Sequence, residues 1–229
     1  MERRSFIKFC AASVAALGAS ELGADARAQF YSKARLVDDK GAPLRASTVP
    51  VERNLIFHYP FAATPCFLLN LGKPVKPAHL KTVAGEQYEW KGGVGATRSL
   101  VAYSAICAHK LSYPTKEISF ISYRTEKSAR NRIGNVIHCC SEHSQYDPAQ
   151  GARVVAGPAP QPLAAILLEW DPASDEIHAV GTLGRDLFKE FFDKFGFRLE
   201  MEHGTPRAAV SGACVVQELE NYCRQQVKC

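Results

Sequence analysis

Leu100-Val101-Ala102-Tyr103-Ser104-Ala105-Ile106-Cys107-Ala108-His109 carries a run of strand-forming residues straight into a cysteine and a histidine two positions apart. On either side lie more short runs of the same texture. Leu55-Ile56-Phe57-His58-Tyr59 and Cys66-Phe67-Leu68-Leu69-Asn70-Leu71 come before it. Ile118-Ser119-Phe120-Ile121-Ser122-Tyr123, Val136-Ile137-His138-Cys139, Ala164-Ala165-Ile166-Leu167-Leu168-Glu169-Trp170 and Glu176-Ile177-His178-Ala179-Val180 follow. Each is rich in β-branched, aromatic or aliphatic residues and is bounded by Pro, Gly or polar turns. Many short strands without a long helical period predict an all-β, antiparallel sandwich or barrel.

The chain has 229 residues, enough for one sizeable core, and its net charge of +5 is mild and spread out. No basic stripe alternates with aromatics, so nucleic acid is excluded as the expected partner. No nucleophile elbow, phosphate loop or haem attachment motif is present, so no residue is assigned a catalytic role.

The chemistry concentrates in two short motifs, Cys107-Ala108-His109 and Cys140-Ser141-Glu142-His143. Each supplies one cysteine and one histidine. Zinc fingers want paired cysteines and paired histidines at their own spacings. Two thiolates on one iron and two imidazoles on the other is the ligand set of a mixed Cys/His 2Fe–2S cluster. The predicted metal ligands are therefore Cys107, His109, Cys140 and His143. A C2H2 zinc site and a catalytic Cys/His pair are the blander alternatives.

The flanks extend the pattern. Ser144-Gln145-Tyr146-Asp147 follows the second motif, and Gly157-Pro158-Ala159-Pro160 comes after the next strand. Together these stretches resemble the Rieske family, whose second loop leads into Ser-x-Tyr-Asp and is capped by a Gly-Pro-Ala-Pro segment. Within that family the likeness is to the small subunit of arsenite oxidase, through Phe57-His58-Tyr59-Pro60, Pro65-Cys66, Leu71-Gly72, Gly92-Gly93-Val94-Gly95 and Val101 to Cys107. It covers about residues 55–184.

The resemblance implies a β-fold with a cluster-binding subdomain and a 2Fe–2S cofactor, with Tyr146 and Ser144 as hydrogen-bond donors to its sulfurs. It implies an electron-transfer subunit rather than a stand-alone enzyme, passing electrons from a larger oxidoreductase, with molybdenum enzymes among the candidates, to a cytochrome c. The alternative is the iron–sulfur subunit of a quinol-oxidising cytochrome bc-type complex. Two departures stand out. Family members often bridge the two loops by a disulfide at the positions held here by Ser112 and Glu142. The second loop is also one residue short before Ser144, so an ungapped match puts Cys139 where the C-x-x-H spacing puts Cys140, and Glu142 where it puts His143. His138 and His58 are read as structural.

The ends of the chain carry separate expectations. Arg3-Arg4-Ser5-Phe6-Ile7-Lys8, an apolar run and Ala26-Arg27-Ala28 read as a twin-arginine signal over residues 1–28. That predicts a periplasmic protein, and a membrane location only if the signal is retained. The apolar run is shorter than the roughly 20 residues that span a bilayer. Residues 29–54 read as an extended lead-in, 55–184 as the cluster domain and 185–229 as a helical, cysteine-containing extension. There Leu187, Phe188, Phe191, Phe192 and Phe195 share a helical face, which either packs on its own domain or docks a partner. A second helix is expected over about 213–226. Removing the chain from Arg185 onward is expected to spare the cluster fold. The chain has eight cysteines, and an oxidising compartment predicts disulfides among Cys66, Cys139, Cys214, Cys223 and Cys229. On one continuous helix Cys214 and Cys223 would lie about 13 Å apart, so at least one is expected to pair elsewhere.

Overall fold

A computed structural model describes residues 28–128 and 132–229; most of the expected signal lies outside them. In chain order the strands are β1 (Ala28–Val37), β2 (Leu55–His58), β3 (Pro65–Asn70), β4 (Ala78–Lys81), β5 (Gln87–Trp90) and β6 (Leu100–Ser104). Then come β7 (Ile118–Ser119), β8 (Ile121–Arg124), β9 (Val136–Cys139), β10 (Ser144–Asp147), β11 (Arg153–Ala156), β12 (Ala165–Asp171) and β13 (Glu176–Leu183). Helix α1 (Phe188–His203) is followed by β14 (Gly212–Val215), β15 (Gln217–Glu218), the single-turn α2 (Leu219–Tyr222) and β16 (Gln225–Gln226).

Eight strands make one sheet in the order β14-β1-β13-β12-β6-β3-β2-β15. Its two outer strands are neighbours in sequence, separated by Val216 alone. The stretch 212–218 therefore pairs in parallel with β1 at one end and antiparallel with β2 at the other, which closes the sheet into a barrel. Leu219 and Val216 continue the seam, their amides donating to Asn54 O and Val37 O at 2.8 Å each. Alternation along the strands fills the barrel: Leu36, Phe57, Cys66, Leu68, Leu100, Ala102, Ile166, Ile177, Ala179 and Cys214 share one buried core. The expected β-barrel class is what forms.

The opposite parity builds the second core. Ile56, Phe67, Leu69, Val101 and Tyr103 point out of the barrel and pack against Ile121, Tyr123, Ile137 and Tyr146. These last belong to a four-stranded antiparallel sheet in the order β11-β10-β9-β8, the predicted cluster-binding subdomain. A third cluster forms where Phe188, Phe191, Phe192 and Leu199 of α1 meet Ala63, Ile106 and Tyr113.

The chain ends differ from expectation. Residues 28–37 are no lead-in but an interior strand of the barrel, with Ala34 and Leu36 fully buried. The phenylalanine face of α1 packs on its own domain. Beyond it, the expected second helix is replaced by three short strands and one helical turn, because each of those strands finds a distant partner. Residues 185–229 are thus built into the core, and removing them would open the barrel instead of sparing it. No helix among the described residues is long and apolar enough to cross a membrane.

Candidate metal centre

Strand parity delivers the first thiol. Val101, Tyr103 and Ala105 face the subdomain, and Cys107 continues their row to lie fully buried in the same core. The chain then turns back on itself. The Cys107 amide donates to Ser112 O at 2.9 Å, and the Leu111 amide to Cys107 O at 3.0 Å. Leu111 takes φ +62° to close the turn. His109 stands half-buried near the tip, its Nδ1 atom enclosed and without a hydrogen-bond partner.

The second loop is the hairpin between β9 and β10. Ser144 pairs with Cys139, so Cys140 to His143 form the turn and His143 adopts φ +60°. Parity decides which cysteine faces inward. Ile137 and Cys139 sit on the core side, and the Cys139 thiol reaches Cys107 closely enough to donate a hydrogen bond to it. Cys140 faces away and is bonded to Cys229. That corrects the expected ligand set: Cys140, the C-x-x-H cysteine, is engaged elsewhere, and Cys139 is the cysteine opposite Cys107. Against the expectation that Cys214 or Cys223 would pair elsewhere, both are buried free thiols, as is Cys66.

Tyr146 is fully buried. Its hydroxyl accepts from the Ala108 amide at 3.1 Å and lies 3.3 Å from Cys107 Sγ, to which it is left to donate. The Ser144 hydroxyl is enclosed beside the second loop with no hydrogen-bond partner, and His143 Nδ1 is likewise shut off from solvent. Gly157 seals this side. At φ +85° it lies so close that a Cβ there would stand 2.4 Å from His143 O, so the Gly-Pro-Ala-Pro segment covers the hairpin directly.

The two facing thiols share a proton. The Cys107 thiol is pulled below its ordinary value, first by the Cys139 thiol donating to it. Burial opposes this, while the Tyr146 hydroxyl and the His109 and Lys110 amides reinforce it. Cys139 goes the other way, holding the shared proton in a buried place. Tyr146 is also raised, by burial and then by the charge on Cys107. An enclosed pair of facing thiols sharing a proton fits a positive occupant that would take both sulfurs as thiolates. The enclosed Nδ1 of His109 and the unsatisfied Ser144 hydroxyl fit an occupant with both open coordination positions and acceptor atoms. Two thiols and two imidazoles are the ligand set of a mixed-ligand 2Fe–2S cluster, and two hydroxyls beside them suit hydrogen bonds to its sulfurs.

His138, read as structural, and Cys229, expected in a disulfide, meet beside the second loop. Cys229 Sγ lies 3.5 Å from His138 Nε2, and burial lowers the His138 imidazole to about 4, with His143 and then Arg124 adding to the effect. The donor atoms of His138, Cys140 and Cys229 converge to within 4.8 Å, but the two sulfurs are spent on each other, so this trio is a structural knot beside the second loop.

No family model matches the chain. Iodate reductase subunit IdrB of Pseudomonas sp. (strain SCT) is 28% identical over 185 residues, covering 80% of each chain. Among solved structures, the soluble domain of the Rieske protein II (soxF) from Sulfolobus acidocaldarius aligns at 25% identity and a TM-score of 0.48, over 66% of this chain and 78% of that one.

Proposed function

We infer that this chain, a protein of the Rieske 2Fe–2S type, is the one-electron transfer subunit of a larger oxidoreductase. The carrying observation is the convergence of Cys107 and Cys139 under Tyr146, with buried ring nitrogens of His109 and His143 on the same two loops. Held there, the cluster supplies reversible one-electron transfer. The residues divide that work. Cys107 and Cys139 lie deep and would hold the cluster through sulfur. His109 and His143 are half-buried, so their rings form the outward side, across which a partner's redox centre can come within range. Tyr146 holds its hydroxyl 3.3 Å from Cys107 Sγ, and Ser144 has an enclosed hydroxyl with a proton to donate. Such donors would favour the more negative state and so raise the potential.

The identity of the partner rests on the likenesses alone. The relative is a subunit of iodate reductase, and the sequence resemblance is to a subunit of arsenite oxidase. Both point to a larger subunit that transforms an oxyanion, with molybdenum enzymes among the candidates. A cytochrome c is our proposed carrier on the other side, and the periplasm, reached through the twin-arginine signal, our proposed location.

The test is direct. The purified protein should contain two irons per chain and, when reduced, show the rhombic EPR signal of two unlike irons. Stoichiometric zinc, or no metal after anaerobic iron–sulfide reconstitution, would overturn the assignment. Co-purification with a larger redox subunit tests the partner.

A further inference from the structure

A metal centre shared by two loops demands that the loops keep their spacing, because a shift of about 1 Å is enough to spoil a ligand set. Here one stretch of chain touches both loops. The first is gripped by α1. The Tyr113 ring, just past the turn, stands edge-on to Phe191 with centroids 4.9 Å apart and lies 5.2 Å from Phe195. Ile106, next to Cys107, is buried among the same phenylalanines, and the Lys194 ammonium donates to Lys110 O at 2.8 Å, one residue from His109. The second loop is gripped by the end of the chain. Strand β16 pairs with β7, the Val227 amide donates to Ser119 O at 2.9 Å, and Cys229 closes the bond to Cys140, next to Cys139. Between these grips the chain is fastened to the barrel by β14 and β15.

We propose that residues 188–229 form a two-point brace that sets the spacing of the ligand loops, with Phe191 positioning the first and Cys229 the second. This rests on the cluster reading above, for which the loops supply the ligands. Cys229 also lies against His138, whose ring is 5.9 Å from that of His143. The effect of the brace is on where the loops sit.

The experiment uses the full-length protein and Cys229→Ser, with wild type treated with a phosphine reductant after iron loading as a second route to the broken bond. Phe191→Ala probes the other grip, and Phe191→Leu serves as its conservative partner. The expected outcome is iron uptake in every protein, but broadened EPR lines, a shifted midpoint potential and about ten-fold faster iron release to a chelator once either grip is lost. Phe191→Leu should restore wild-type behaviour. In the iron-free proteins, amide exchange should rise over residues 139–143 for Cys229→Ser and over 107–113 for Phe191→Ala. Wild-type line shape and release rate after reduction overturn the brace, as does unchanged exchange in both loops. If Phe191→Ala does not fold, the Cys229 and reductant arms decide. If wild type itself takes up no iron, the cluster reading falls, and the exchange measurements still judge the brace.

Discussion

The two ligand loops arrive at one notch by different means. The first is the natural continuation of β6. Its cysteine is placed by strand parity, its turn is closed by two local backbone hydrogen bonds, and its outer flank rests on aromatic rings. The second is a four-residue turn that depends on distant chain, with a glycine segment pressed over it and a covalent bond to a residue 89 positions further along. One loop is therefore organised mainly from within, the other mainly from without. Disturbances of distant residues should be felt at the second loop before the first.

The sharpest way to break this comparison is to exchange the roles of the paired cysteines. Cys139→Ser should abolish the cluster, because its thiol faces Cys107, while Cys140→Ser should retain near-full iron content and behave as Cys229→Ser does. Iron analysis with EPR distinguishes the two, and the reverse result would mean the hairpin is turned the other way. Next in size is stability. The Cys140–Cys229 bond closes a loop of 89 residues, for which chain entropy gives about 4–5 kcal/mol. Cys229→Ala should lower the denaturation free energy of the iron-free protein by up to that amount, a loss the first loop has no counterpart for.

Acid probes a grip of another kind. His58 packs between His203 and Tyr222, with ring centroids 5.5 Å away on each side, tying β2 to the end of α1 and to α2. Burial lowers its imidazole to about 4, and His203 and Lys116 also oppose its charge. The unfolded chain binds that proton near pH 6.5 and the folded chain does not. Stability of the iron-free protein should therefore fall as pH drops from 6.5 toward 4, by about 3 kcal/mol at most from this residue. Urea titrations of wild type and His58→Gln at pH 7 and pH 4.5 should show a smaller acid loss in the variant. The smallest effect belongs to Tyr146→Phe. Losing one hydrogen bond to a charged sulfur, worth about 1.5 kcal/mol, should lower the midpoint potential by roughly 60 mV. A potential that rises or stays flat in a redox titration would remove Tyr146 from the tuning role.

The pattern of legibility follows the same divide. Cys107, His109 and the strands leading to them declare themselves locally, since the run from Leu100 to Ser104 is a strand on composition alone. Tyr146 and the Gly157 segment were legible through the family resemblance. The choice between Cys139 and Cys140 was not settled by motif spacing, which favours Cys140. The alternation in Val136-Ile137-His138-Cys139 holds the answer, because putting Ile137 inside puts Cys139 inside too. The region after α1 was illegible for a further reason. Its strands are two to four residues long, too short for a period to show, and each exists only because β1, β2 or β7 offers it an edge. Even so, the aromatic face of α1 was visible, and what it would cover was left open between its own domain and a partner.

The closure of the barrel by residues 212–218 has a kinetic meaning. Those residues pair with residues 34–37 on one side and 55–56 on the other, so the largest sheet is completed by contacts spanning most of the chain. Pairing of such long sequence separation is slow, because loop entropy is spent before the contacts form. Until it occurs, β1 and β2 present bare edges, each a template for pairing with another copy. Folding should thus be marked by a late, concentration-sensitive phase in which the unsealed barrel either captures its own seam strand or is lost to aggregation.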